Sequence, residues 1–162
     1  MIRKQDNIGG FTLIELLIVI AILTVLFALV IIAVNPVRQF AQADNTQRRS
    51  DINALLNAVY QYAADNRGTV PGVVSSTSTP QQIGDSSGNC AITCTPTGTS
   101  TVPTCVNLLP YLVSTYLVDI PKDPDQSASS TTHYAIVKSS TNNRLTVYAC
   151  DAELSETIKI TR

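Results

Sequence analysis

Three groups of residues have types and spacings suited to chemistry or cross-linking. The first is a Gly9-Gly10-Phe11 junction with Glu15 one helical turn beyond it. The second is four cysteines, Cys90, Cys94, Cys105 and Cys150, and the third is an acidic run holding Asp119, Asp123 and Asp125. No nucleophile, base and orienting group fall into a recognisable constellation, and His133 is the sole histidine, so the expected role is not enzymatic. Tyr60, Tyr62, Tyr111, Tyr116 and Tyr148 are assigned to core or interface. Glu15 is the most informative residue, because it opens an apolar run. A carboxylate within such a helix costs about 2.5 kcal/mol or more in lipid, and it normally has a partner or a function.

The elements that hold these groups follow from an uneven composition. The chain has 162 residues, room for one domain of ordinary size, and with 14% charged residues and a net charge of -1 it has no electrostatic footprint for nucleic acid. Leu16 to Val34 carry no charge, and at about 1.5 Å per residue a helix of this length spans roughly the 30 Å of a bilayer core. A secretory signal has a shorter apolar region with its small-residue cleavage site after it, whereas here Gly9-Gly10 comes before. A plain signal anchor would account for Arg3 and Lys4 through the positive-inside rule, but it has no use for Glu15. All four cysteines lie downstream of the run, where an anchor places them together in an oxidising compartment and disulfides are the default.

MIRKQDNIGG followed by FTLIELLIVIAILTVL closely resembles the class III leader and first helix of type IV pilins and type II secretion pseudopilins. The resemblance covers about the first 35 residues. It implies that a membrane prepilin peptidase cuts between Gly10 and Phe11 and methylates the new Phe11 amine. Gly10 suits such a cut because a residue without a side chain leaves the backbone accessible. It further implies assembly into a homopolymer, driven by a platform membrane protein and a cytoplasmic ATPase. The cut creates a positive amine beside an acid in an apolar setting, and Glu15 can neutralise the Phe11 amine of its own chain or of an adjacent subunit.

Beyond the apolar run, Asn35-Pro36 interrupts the helical pattern. Ile52, Leu55, Leu56, Val59 and Ala63 then recur at helical spacing, with Arg48, Arg49, Asp51 and Gln61 expected elsewhere on the cylinder and Asn66-Arg67-Gly68 as the stop. Residues 69–107 read as a long surface connection, and Ser75 to Thr104 include 14 Ser or Thr. Four cysteines allow three pairings. One bridge inside this loop and one tying it to Cys150 is the expected arrangement, because Cys150 falls in a predicted strand. A zinc site is the competing reading, but the spacings lack paired C-x-x-C knuckles. Leu108 to Val118 reads as a short helical segment broken by Pro110, and strands are predicted at 132–138, 144–150 and 156–161.

The expected fold is α+β: a long N-terminal helix, apolar then amphipathic, packed against a small antiparallel sheet of about three to four strands. This is also what the resemblance implies. The division expected is a leader at 1–10, a membrane and fibre-core segment at 11–36, an amphipathic helix at 37–67, a Ser/Thr-rich loop region at 68–131 and the sheet at 132–162. Asp119-Ile120-Pro121-Lys122-Asp123-Pro124-Asp125 resembles the Pro-Asp-Pro loop of major pseudopilins, some of which bind calcium nearby, although the chain lacks the Trp-Gly that usually follows. Three acids in seven residues offer calcium the hard oxygens it takes in sets of six to eight. A solvated acidic turn shaped by its prolines is the simpler reading, and no other cofactor is expected.

The resemblance does not distinguish pilin from pseudopilin, but the long Ser/Thr-rich loop and its cysteines favour a structural subunit of a type IV pilus, inserted in the cytoplasmic membrane before assembly and exposed at the cell surface afterwards. The first alternative is a major pseudopilin of a type II secretion system. The second, of another class, is a monomeric membrane-anchored extracellular binding domain.

Overall fold

A computed structural model describes residues 10–76, 79–85, 90, 93–94, 99–101, 104–126 and 131–162. The leader residues before Gly10, with Arg3, Lys4 and Gly9, lie outside the described residues. Met1–Gln39 and Phe40–Arg162 form two units, taken here in turn.

The first unit contains α1, Leu13–Val34, a 22-residue helix long and apolar enough to cross a membrane. At 1.5 Å per residue it measures about 33 Å. Every one of its side chains is exposed, Leu13 and Ile32 each to 81%. Its single hydroxyl, on Thr24, donates to the Ala21 carbonyl at 2.8 Å and so leaves no polar group seeking water in mid-helix. The helix ends at Asn35, whose φ of 43° lies in the left-handed region that asparagine tolerates better than most residues. Pro36 then opens α2, Pro36–Asp65, where its missing N–H is no loss. The Asn35 side-chain oxygen accepts from the Arg38 N–H at 3.4 Å.

In the second unit, α2 buries Ala41, Asn45, Arg48, Ile52, Leu55, Leu56, Val59 and Ala63 at three- and four-residue intervals. Arg48 belongs to this stripe, four residues before Ile52, which corrects the expectation that it lies elsewhere on the cylinder. The helix stops where Asn66-Arg67-Gly68 predicts: Arg67 and Gly68 turn left-handed, and the Gly68 N–H closes on the Ala63 carbonyl at 2.7 Å.

The strands are β1 (Gln81–Gly84), β2 (Thr93–Cys94), β3 (Thr99–Ser100), β4 (Thr131–Lys138), β5 (Leu145–Ala149) and β6 (Lys159–Thr161), with the short helix α3 (Leu109–Leu112) between β3 and β4. A four-stranded antiparallel sheet runs β1-β4-β5-β6, and β2 and β3 pair separately. The fold is α+β. Three strands fall near their predicted places, whereas β1 sits inside the segment read as surface loop, and all four of its residues are buried. Pro110 initiates α3 instead of breaking it, because the first helical turn has no use for the N–H that proline lacks.

Leu55, Leu56 and Val59 of α2 meet Tyr134 and Ile136 of β4 and Leu145 and Val147 of β5 in one core. Each such apolar side chain contributes about 1.5–3 kcal/mol when fully buried. Between β1 and β4 the register shifts, and His133, with φ 60°, lies in the irregular stretch. Thr132 steadies it: its hydroxyl donates to the Ile83 carbonyl at 2.7 Å and accepts from the Tyr134 N–H at 3.1 Å.

Candidate functional site

The N-terminal turn of α1 is built as a reciprocal cap. Thr12 has an extended backbone (φ -81°, ψ 147°), so it stands just outside the helix with its side chain free to turn back. Its hydroxyl accepts from the Glu15 N–H at 3.3 Å, while the Glu15 Oε2 accepts from the Thr12 N–H at 3.0 Å and from the Thr12 hydroxyl at 2.9 Å. The carboxylate is thereby placed at the positive end of the helix dipole. Phe11, exposed to 88%, and Gly10 precede this turn, and a Cβ on Gly10 would meet no atom within 4 Å.

A second constellation surrounds Arg48 in the globular unit. Its guanidinium and the Asp123 carboxylate make a two-point contact, Nε to Oδ2 at 2.7 Å and Nη2 to Oδ1 at 2.9 Å, with both side chains fully buried. Nη2 also reaches Asp125 at 2.7 Å, and Nη1 reaches Glu153 at 3.0 Å and the Asn45 amide oxygen at 3.1 Å. Asn45 holds the same turn from the backbone, donating to the Glu153 carbonyl and accepting from the Glu153 N–H, each at 3.0 Å. The Asp123 hydrogen bond raises Arg48 well above the ordinary guanidinium range, so the group stays charged although it is buried. Five side chains thus tie α2 to the loop before β4 and the turn after β5.

Of the three acids singled out as calcium ligands, Asp123 spends both oxygens on Arg48, and Asp119 accepts from the neighbouring Ile120 N–H at 2.8 Å. Asp125 instead groups with Asp44 and Glu153, one oxygen of each lying within 4.8 Å of the others. Two of these three carboxylates already accept from Arg48. The donor set fits a guanidinium with spare acids at its rim better than the six to eight oxygens calcium takes. Sequence reasoning did not single out Arg48. Its only signals are its place on the apolar stripe and the acids gathered at 123–125.

The cysteines are bonded as Cys90–Cys105 and Cys94–Cys150. Cys94 and Cys150 are buried with Ala135 of β4, beside Tyr148. Cys150 falls one residue past β5, yet its N–H still donates to the His133 carbonyl at 3.0 Å. The Gln82 amide, oriented as its neighbours require, donates to the Cys90 carbonyl and accepts from the His133 N–H, each at 3.2 Å. Thr101 donates its hydroxyl to the Cys90 carbonyl as well. His133 Nδ1 lies 2.6 Å from Asp151 Oδ2. Cys94–Cys150 therefore fastens the Ser/Thr-rich segment to the end of β5, and Cys90–Cys105 closes a loop within that segment.

Compared with known proteins, residues 6–34 match the prokaryotic N-terminal methylation motif. No curated protein and no solved structure matches the chain. The match spans the capped turn and all of α1. The match lays the methylation motif over these residues and supports a class III leader and first helix of the pilin and pseudopilin type.

Proposed function

We propose that the chain is a structural subunit of a type IV pilus. Prepilin peptidase cuts it between Gly10 and Phe11 and methylates the Phe11 amine, and copies then polymerise through α1 into an extracellular filament. The observation that carries this reading is a fully exposed, membrane-length apolar helix with an acid in its first turn, lying within the methylation motif. Before assembly, lipid solvates α1, and exchanging lipid for other helices yields little hydrophobic free energy, so extraction needs outside work. A platform protein and an ATPase supply that work. In the filament, separating the helices exposes apolar surface to water at about 25 cal/mol per Å², which makes the polymer hard to dissolve.

Glu15 has a defined part in this scheme. In the polymer it meets the Phe11 ammonium, and at about 4 Å and an effective dielectric near 20 the two attract by roughly 4 kcal/mol before desolvation is subtracted. That attraction sets register between copies more than net stability. Glu15→Ala and Glu15→Val test it: both chains are expected to be cut normally but to yield few filaments. Abundant normal filaments from either would contradict the reading.

The alternative with most in its favour is a major pseudopilin building a short periplasmic fibre. The long Ser/Thr-rich segment, held by two disulfides, favours a surface-exposed pilus. Location separates the two, on the cell surface or confined to the periplasm. A monomeric anchored binding domain would leave the cost of Glu15 in lipid without a return.

A further inference from the structure

The loop between β5 and β6 carries a leucine where the backbone disfavours one. The Glu156 N–H donates to the Glu153 carbonyl at 3.0 Å, and the two residues enclosed by this turn, Leu154 and Ser155, have φ of 56° and 58°. Two left-handed residues in succession suit asparagine, aspartate or glycine, and a bulky side chain such as leucine is rarely placed there. The turn is nevertheless held at both ends. Glu153 is bonded to Asn45 through its backbone and to Arg48 through its carboxylate, and Glu156 pairs with Arg49. Elsewhere in the same loop Ala152 and Ile158 are buried, whereas Leu154 is 44% exposed and takes no part in the core of its own chain.

The other edge of the sheet has a place for such a side chain. Beside β1 lies a hollow of about 150 Å³, with Ile83, Leu108 and Ile120 buried in its walls and Leu109, Asp119 and Lys122 exposed around it. A cavity of this size takes up a benzene-sized group, and so one aliphatic side chain. Leu154 does not line it, and β1 and β6 are the two outer strands of the sheet. We propose that Leu154 of one chain inserts into this hollow on a second copy of the chain. The proposal rests on the filament reading above and names a contact between globular units within it. A knob and a hole at different places on one surface join copies head to tail, and where the rotation between copies does not close a ring the contact repeats as an open helix. The strained turn then has a use. Its clamps to α2 hold Leu154 outward before a partner arrives, so docking costs no ordering of the loop.

The test uses the full chain in the producing cell, scoring filament yield per mature subunit after shearing, together with the melting temperature of each purified chain in detergent. Leu154→Asn gives the turn a residue that its backbone favours and removes the knob. It is expected to melt at or above the parent's temperature, yet to lose filament yield by about tenfold or more, the weight of one buried leucine. Leu109→Arg, which crowds the mouth of the hollow, is expected to lower the yield in the same way, and Leu154→Met, of similar volume, to keep most of it. A Leu154→Asn chain that assembles like the parent would overturn the proposal. So would one that melts well below the parent, since the leucine would then serve its own fold. A photo-crosslinking amino acid at position 154 identifies the partner: products joined to residues 107–122 of a second copy are expected, and products joined only to other segments or other proteins would overturn the contact. If the parent itself forms no filaments, both readings fall. If parent and Leu154→Asn filaments are equally abundant, only this contact is withdrawn.

Discussion

Arg48 and Asp123 face one another with no access to solvent and make two parallel hydrogen bonds, at 2.7 and 2.9 Å. Removing the cation strands a buried carboxylate. Arg48→Ala is therefore expected to destabilise the globular unit by on the order of 3 kcal/mol, a value held to the lower end by the partial exposure of Asp125 and Glu153. Arg49 makes a single ion pair with Glu156, but Arg49 is exposed and Glu156 partly so, and Arg49→Ala is expected to cost about 0.5 kcal/mol or less. Urea unfolding of the purified variants, followed by circular dichroism, measures the difference. Equal losses would contradict the central place given to Arg48.

The same guanidinium bears on calcium. Because Arg48 already supplies positive charge to Asp123, Asp125 and Glu153, adding calcium or a chelator to the parent chain is expected to leave its melting temperature unchanged. A calcium-dependent rise of several degrees would restore the carboxylates Asp44, Asp125 and Glu153 as a metal site.

Asp51 gives a signed pH dependence. Burial is the main cause that lifts its carboxyl above the ordinary range, opposed by the hydrogen bond from the Tyr134 hydroxyl at 2.8 Å and assisted by the charge of Asp123. The folded chain then holds a proton that the unfolded chain has released, so this residue lowers stability as pH rises from the ordinary Asp range through the raised one. Asp51→Asn keeps an acceptor for Tyr134 and removes the titration. Its stability is expected to lose that slope and, at neutral pH, to equal or exceed the parent's. A steeper slope in the variant, by urea titration across that range, would contradict the assignment.

The two bridges differ in the length of chain they close, 56 residues for Cys94–Cys150 and 15 for Cys90–Cys105. In the loop-entropy model the longer closure restricts the unfolded chain by about 1 kcal/mol more. The Cys94→Ala/Cys150→Ala pair is expected to lower the melting temperature more than Cys90→Ala/Cys105→Ala. The parent's mass should rise by two hydrogen atoms per bridge on reduction with a dithiol, and no rise would exclude disulfides.

How much of this was legible in the sequence depended on whether the signal was local. α1 and Glu15 were readable because apolar length and a misplaced charge are properties of composition and position alone. The stripe from Ile52 to Ala63 was readable from its period. Arg48 was not, since an arginine beside such a stripe normally faces water, and its buried place depends on Asp123 and Glu153, 75 and 105 residues away. β1 was hidden because Gln81-Gln82 shows no strand alternation, and its burial comes from pairing with Ile136 and Ala135. The cysteines announced cross-links without choosing among three pairings. The cap between Thr12 and Glu15 shows in the sequence only as a Thr-x-x-Glu spacing.

Electron microscopy of material sheared from producing cells, with an antibody to the globular unit and N-terminal mass analysis of the decorated fraction, tests the filament claim most directly. If the chain is a filament subunit, the antibody decorates thin fibres whose subunits begin at an N-methylated Phe11. Chain retained in the membrane fraction with its leader attached, and no decorated fibre in the medium or on the cells, would contradict it.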